Sequence, residues 1–303
     1  MRRWKPQAGF GIWIALGLLI GGIAGIGYLG FALAQVLLQP PETWPVDLQL
    51  YSQFVALQAL LVIAAVLLYR ILAALTLNYE LDRNGLYITW LGNRAVVPLA
   101  EIQTVDLGVK TPRIPLGPLQ AIGSYWGRGR VENRELHLFS TIPPQRSLAI
   151  CTPSAIFSIS PAEREAFVQD LEQRRNLGST KSLTASTQPS RIFLSAFWND
   201  QTVRWLLMIA FALNVLLLGI LAARYPMLAS DIEMRFNELG EVAEFRPRHQ
   251  VLFLPLAAFG LALFNTALGL LTYRQLPIGA RLLQAASVLV QILFGIAIVT
   301  IIY

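Results

Sequence analysis

"NYELDRNGLYITWLGNRAVVPLAEIQTVDLG", residues 78–108, switches the chain from a helical to an alternating apolar period. Tyr79 and Leu81 lead into a turn at residues 82–85, Leu86, Ile88 and Trp90 follow, and a second turn at Gly92 and Asn93 precedes apolar runs at 95–99 and 102–105. Asn-Gly and Gly-Asn between alternating runs are strong hairpin signals, because both residue types tolerate the positive φ of a tight turn. Further strands are expected at 135–141, 147–152 and 155–159. "SPAEREAFVQDLEQRR" then reads as a helix with Ser160 as cap, Pro161 at the first helical position and Glu163 completing a capping box. Phe167 and Leu171, one turn apart, would pack that helix over an open end of the sheet. The Ser/Thr-rich residues 176–190 read as a flexible linker.

The rest of the chain is apolar. Of 303 residues, 55% are hydrophobic and only 14% charged, against about 25% charged in a soluble domain. Crossing a hydrocarbon core takes about 20 apolar residues. Five stretches reach that length, at 10–38, 54–75, 203–223, 251–273 and 281–303. Arg70 and Arg204 stand near span ends, where long side chains snorkel to headgroups. No carboxylate, lysine or histidine lies inside a span, which argues against a proton relay or ion-coupled transport. The strongly polar interior residues are the amides Gln58, Asn214, Asn265, Gln284 and Gln291, expected to bond helix to helix. Gly17, Gly21 and Gly25 fall on one helical face that permits close helix approach, within this molecule or to a second copy.

Orientation follows from lysine and arginine. Arg2, Arg3 and Lys5 precede the first span with no acid, while the 39–53 connection has Glu42 and Asp47 and no base. The N-terminus and residues 77–201, with thirteen Lys/Arg against eleven Asp/Glu, are therefore expected in the cytoplasm. The 224–250 loop and the C-terminus would lie outside, in a multi-pass plasma-membrane protein. Residues 1–34 also end in an "ALA" that fits signal-peptide cleavage, but the apolar run is twice the usual length for a signal peptide.

The order of features is specific. "Y-x-L-D-x-x-G-L-x-I" at 79–88, "VPLAEI" at 97–102, "GSYWGRGRV" at 123–131 and "TPSAIFSISPAEREAF" at 152–167 resemble the bacterial pleckstrin-homology-like (PH) domain of membrane proteins. That resemblance implies about seven antiparallel strands closed by a C-terminal helix. The expected architecture is thus a five-helix membrane protein with an inserted cytoplasmic α+β domain. A two-helix hairpin fills residues 1–76, the PH-like domain 77–175, the linker 176–190 and a three-helix module 191–303. The last part, with "YPMLASDIEMRFNELGEV" at 225–242, is similar to a bacterial module of unknown function that often has histidine before its "FN" pair; this chain has Arg235 there.

Several function classes lose support. One cysteine and two histidines leave no disulfide framework and no metal cluster of known spacing. There is no Walker loop, H-E-x-x-H or G-x-S-x-G, and His137 sits in a strand as an ordinary alternating residue. No cofactor or catalytic residue is expected, and the dispersed basic residues do not suggest nucleic acid. The glycines of "GSYWGRGR" match neither phosphate fingerprint, so Gly127 and Gly129 are expected to bend or bulge the sheet, with Trp126 packed and the arginines outward. Phosphoinositide-binding PH domains carry a basic cluster on the first hairpin, whereas this hairpin has Arg83 beside Asp82. The candidate surface is instead Lys110, Arg113, Tyr125, Trp126, Arg128, Arg130 and Arg134, suited to anionic headgroups of the inner leaflet, to other membrane proteins or to copies of itself. The expected role is a non-catalytic interaction or regulatory module; the alternatives are a small-solute or lipid transporter, or an envelope sensor reading the 224–250 loop.

Overall fold

The computed structural model describes residues 2–109, 122–131, 134–178, 180–181, 183–184, 186–188, 197–198, 200–236 and 242–302. The chain divides into two compact units, residues 1–24 with 61–193 and residues 25–60 with 194–303. Five helices are long and apolar enough to cross a membrane. They are α1 (Gly11–Leu37), α2 (Leu48–Thr76), α4 (Gln201–Arg224), α5 (Phe253–Thr272) and α6 (Pro277–Ile302), at the five places the apolar runs predict.

The first unit is built on two five-stranded sheets. One has the order β1-β2-β3-β4-β10, from β1 (Arg2–Trp4), β2 (Asn78–Leu81), β3 (Gly85–Trp90), β4 (Asn93–Pro98) and β10 (Ser186–Gln188). The hairpins β2–β3 and β3–β4 turn where Asn-Gly and Gly-Asn predict. The other sheet has the order β5-β8-β9-β7-β6, from β5 (Thr104–Leu107), β6 (Tyr125–Val131), β7 (Arg134–Ser140), β8 (Leu148–Cys151) and β9 (Ala155–Ile159). All pairings are antiparallel except β7 with β9. Between the sheets, Tyr79, Leu81, Leu86, Ile88, Ile150 and Ile159 are fully buried. The helix α3 (Arg164–Asn176) inserts Phe167 and Leu171 into that core, as its spacing predicts.

Three strands exceed the seven expected. β1 pairs with β2 in register Arg2↔Leu81 to Trp4↔Tyr79, so the N-terminal segment ahead of α1 is an edge of the domain's sheet. Trp4 meets Phe167 of α3 edge-on, with ring centroids 5.7 Å apart. β10 pairs with the opposite edge, β4, so part of the segment expected to be a free linker is a strand. The third addition is β6, in the stretch expected to bend. It pairs with β7 over seven residues without a register shift, and no bulge forms. Gly127 holds that register at φ 149°, a conformation closed to residues with a Cβ.

The capping box does not form either. α3 begins at Arg164, and no side chain caps it. The Ser160 hydroxyl is already engaged: it accepts the Thr141 amide (2.9 Å) and lies 2.9 Å from Thr141 Oγ1. The chain beside it is held by the N-terminal segment, the Gln7 amide donating to Ser160 O (2.7 Å) and the Ala162 amide to Lys5 O (2.9 Å). At the centre of this network stands Tyr79. Its hydroxyl donates to Phe139 O of β7 (2.6 Å) and accepts the Ser160 amide (3.0 Å), which joins the two sheets at one fully buried atom. Burial drives the phenol pKa far above its ordinary value, so it stays a neutral donor.

Removing that hydroxyl strands a buried carbonyl and a buried amide. Tyr79→Phe should lower stability by about 1–3 kcal/mol, read as a lower midpoint of thermal unfolding for the full-length protein in detergent, whereas the exposed Tyr28→Phe should leave the midpoint unchanged.

Candidate functional site

The candidate basic surface centres on β6. Trp126 packs against Trp90 and Phe139, with ring centroids 4.9 and 5.1 Å away. Arg128 and Arg130 follow on the same face by the two-residue period. Both are exposed, because the aromatic core ends at Trp126. Across the ladder Arg128 stands opposite His137 and Arg130 opposite Glu135. Tyr125 and Arg134 are half-buried. Lys110 and Arg113 lie outside the described residues. Among the described residues β6 is an edge strand, paired on one side only.

His137 Nε2 lies 3.3 Å from Glu135, and its ring stacks on Phe157 at 5.0 Å. Burial and the nearby Arg128 guanidinium push its pKa below the ordinary histidine value, outweighing the pull of Glu135. It is therefore neutral at pH 7 and adds no charge beside Arg128.

The first hairpin, where phosphoinositide-binding PH domains gather bases, is occupied by the chain itself. The Asp82 carboxylate accepts the Asn84 and Gly85 amides (2.7 and 2.8 Å) and the Tyr87 hydroxyl (3.1 Å). Arg83 donates to the carbonyls of Leu177 and Gly178, and Asn84 Oδ1 accepts the amides of Thr180 and Lys181. The segment after α3 thus covers part of this turn, while the exposed Arg83 keeps further donors free beside Asp82.

Gly123, at the head of "GSYWGRGR", lies against Ala15 of α1. Beside it, Arg70 of α2 donates to the carbonyl of Ser124. The expectation that Arg70 snorkels to headgroups gives way here: it is 8% exposed, and its charge is directed at the backbone leading into β6.

Residues 77–175 match the family model described as Bacterial PH domain. The chain carries a bacterial PH domain. No curated protein and no solved structure gave a match. The fold alone does not carry a ligand; the side chains it displays decide what the PH domain can bind.

Among the described residues of the second unit, two polar constellations join the helices. In the first, Asn214 of α4 donates to Gln291 Oε1 of α6 and to Pro255 O of α5, both at 3.0 Å. One level away, Gln284 Nε2 donates to Asn265 O (3.1 Å) and Asn265 Nδ2 to Ser287 Oγ (3.1 Å). These four amides bond helix to helix, as expected. Gly269 leaves room beside them: a Cβ there would come within 2.8 Å of Gln284 Nε2 and displace that side chain. Gln58 departs from this pattern, its buried Oε1 having no hydrogen-bond partner among the described residues. Of the glycine face, Gly25 meets Leu60, while a Cβ on Gly17 or Gly21 would meet nothing within 4 Å.

The second constellation gathers on Asp200, which nothing in the sequence singled out. It caps α4 through the amides of Thr202 (2.9 Å) and Val203 (3.4 Å). Its Oδ2 accepts the Tyr273 hydroxyl (2.7 Å) and Arg281 Nε (2.8 Å). Burial alone would raise its pKa, but the bonds from Tyr273, Arg281 and the two amides outweigh it and hold the carboxyl at about 2. A carboxylate this acidic is poorly matched to proton transfer at neutral pH. Its role is to tie the start of α4 to the connection between α5 and α6. Among the described residues, no three His, Cys, Asp or Glu side chains converge.

Because the folded carboxyl is more acidic than its ordinary value, it adds stability above pH 4 and loses it as the pH falls toward 2. Asp200→Asn should therefore melt below the wild type at pH 7, and the gap should close as thermal scans in detergent are repeated down to pH 2.

Proposed function

We propose that this is a non-catalytic membrane protein whose PH domain serves as a protein-interaction or regulatory module at the inner leaflet. The observation that carries this reading is β6, an edge strand among the described residues, bearing exposed Arg128 and Arg130. An edge strand offers unpaired N–H and C=O groups to a partner's strand. The two arginines add attraction to an anionic partner or leaflet, at about 1 kcal/mol per basic residue near the surface. The charge bias of the loops supports a cytoplasmic location for the domain. The first hairpin, with its one base Arg83 beside Asp82 and partly covered by the segment after α3, supports contact through β6 rather than through an inositol phosphate site. The amides among α4, α5 and α6 bond to one another, which favours a structural over a transport role for these helices.

The test is recovery of partners from membranes. Full-length protein should retain a defined set of membrane proteins or copies of itself, and Arg128→Glu combined with Arg130→Glu should lose most of them, as should deletion of residues 77–190. If partners survive both changes, or if solute flux is found that persists in the deletion, the interaction reading fails and transport replaces it.

A further inference from the structure

The second unit contains an apolar groove of about 140 Å³. It is formed by the last turns of α1 and α4 and the first turns of α2 and α5, with Leu33, Leu50, Leu218 and Leu256 among its walls. Three side chains there have polar atoms, and each spends them elsewhere. Trp44 Nε1 donates to Gln39 O (2.9 Å), the Tyr51 hydroxyl to Val215 O (3.0 Å), and the Asp47 carboxylate accepts the Leu50 amide (2.8 Å). The groove therefore presents hydrocarbon alone.

Just past the same helix ends is a recess of different character, about 470 Å³, lined by Glu42, Tyr225, Ser230, Pro247, Arg248 and His249. The two adjoin. Leu221 and Leu252 of the groove share one packed cluster with Tyr225, and Trp44 packs on it. Tyr225 is 2% exposed, yet its hydroxyl proton has no acceptor among the described residues. Arg248 lies over the Tyr225 ring at 5.0 Å and uses one N–H on Leu228 O (3.2 Å), leaving others of its five donors unspent.

Depth completes the match. Leu33 lies four residues inside the end of α1 and Phe54 six inside the start of α2, or about 6 to 9 Å at 1.5 Å per residue. With α1 and α2 about 40 Å long against a hydrocarbon core of about 30 Å, the groove falls at the hydrocarbon boundary and the recess outside it. We propose that this end of the bundle binds one membrane phospholipid, with an acyl chain in the groove and its phosphate on Arg248 and the Tyr225 hydroxyl. The phosphate supplies the acceptor that Tyr225 lacks and a counter-charge for Arg248, which makes no ion pair among the described residues although Glu42 lines the same recess, while the chain covers surface that has no polar atom to offer. The site is separate from the PH domain and does not depend on the function proposed for it.

The test uses full-length protein in mild detergent, mixed with phosphatidylglycerol or with diacylglycerol of the same chains, and native mass spectrometry to count lipid retained. Wild type should keep one phosphatidylglycerol per chain and little diacylglycerol. Ala222→Trp, which fills the groove, and Arg248→Gln, which removes the charge, should each reduce retention about tenfold or more at an unchanged elution volume. If Ala222→Trp does not fold, Leu37→Trp at the rim, where Leu37 is 51% exposed, replaces it. Equal retention of diacylglycerol, unchanged retention in both variants, or a wild-type dimer that Ala222→Trp converts to monomer would each overturn the proposal, the last by showing that a second copy fills the groove.

Discussion

The Tyr79 hydroxyl is the atom on which the architecture of the first unit depends. Two sheets of a sandwich can slide over an apolar interface, because hydrophobic attraction has little direction. A hydrogen bond does have direction, and one buried in the core costs more to break than it contributes net when made. Tyr79 fixes β2 against β7 and, through the Ser160 amide, fixes the strand leading into α3. Phe167 and Leu171 can then reach the core from one position only. The Ser160 side chain extends the same network to Thr141, whose hydroxyl bonds Gln7 O in the segment that leads to α1. One phenol thus links both sheets, the strand leading into the closing helix and, through Ser160 and Thr141, the N-terminal segment.

The second unit solves a different problem with the same means. In hydrocarbon there is no hydrophobic drive to bring helices together, so packing and polar contacts must decide which faces meet. Asn214 with Gln291 and Gln284 with Asn265 set two levels of contact, and small residues such as Gly269 let the helices approach closely enough to use them. At the end of the same bundle Asp200 gathers a cap, a tyrosine and an arginine. Polar groups outside these sets then stand out, and the buried Tyr225 hydroxyl is the clearest of them.

Patterns local in sequence were readable. The five spans, the two glycine hairpins of β2 to β4 and the Phe167 and Leu171 face of α3 each follow from a period or a turn signal within a few residues. What escaped depended on long-range pairing. "RRW" at β1 is too short to show an alternation, and its partner lies more than seventy residues away. β10 gave no signal because Ser and Thr suit loops as well as edge strands. Ser160 satisfied the local rule for a cap, but tertiary contacts had already claimed its hydroxyl. The site followed the same division: Trp126 and the exposed arginines of β6 were legible from composition, whereas Asp200 became visible only once Tyr273 and Arg281 stood beside it.

The pairing of β1 with β2 also orders events during synthesis. β1 leaves the ribosome first, but β2 follows only after both α1 and α2 have been made. The sheet can close only when that hairpin has crossed and returned, leaving Trp4 and Tyr79 on the same side of the bilayer. A chain whose first helix failed to insert, or inserted alone, would be left with an open β2 edge and an uncovered Phe167, surfaces that chaperones and proteases recognise. The β1–β2 pairing therefore requires that α1 and α2 together return the chain to the side on which it began.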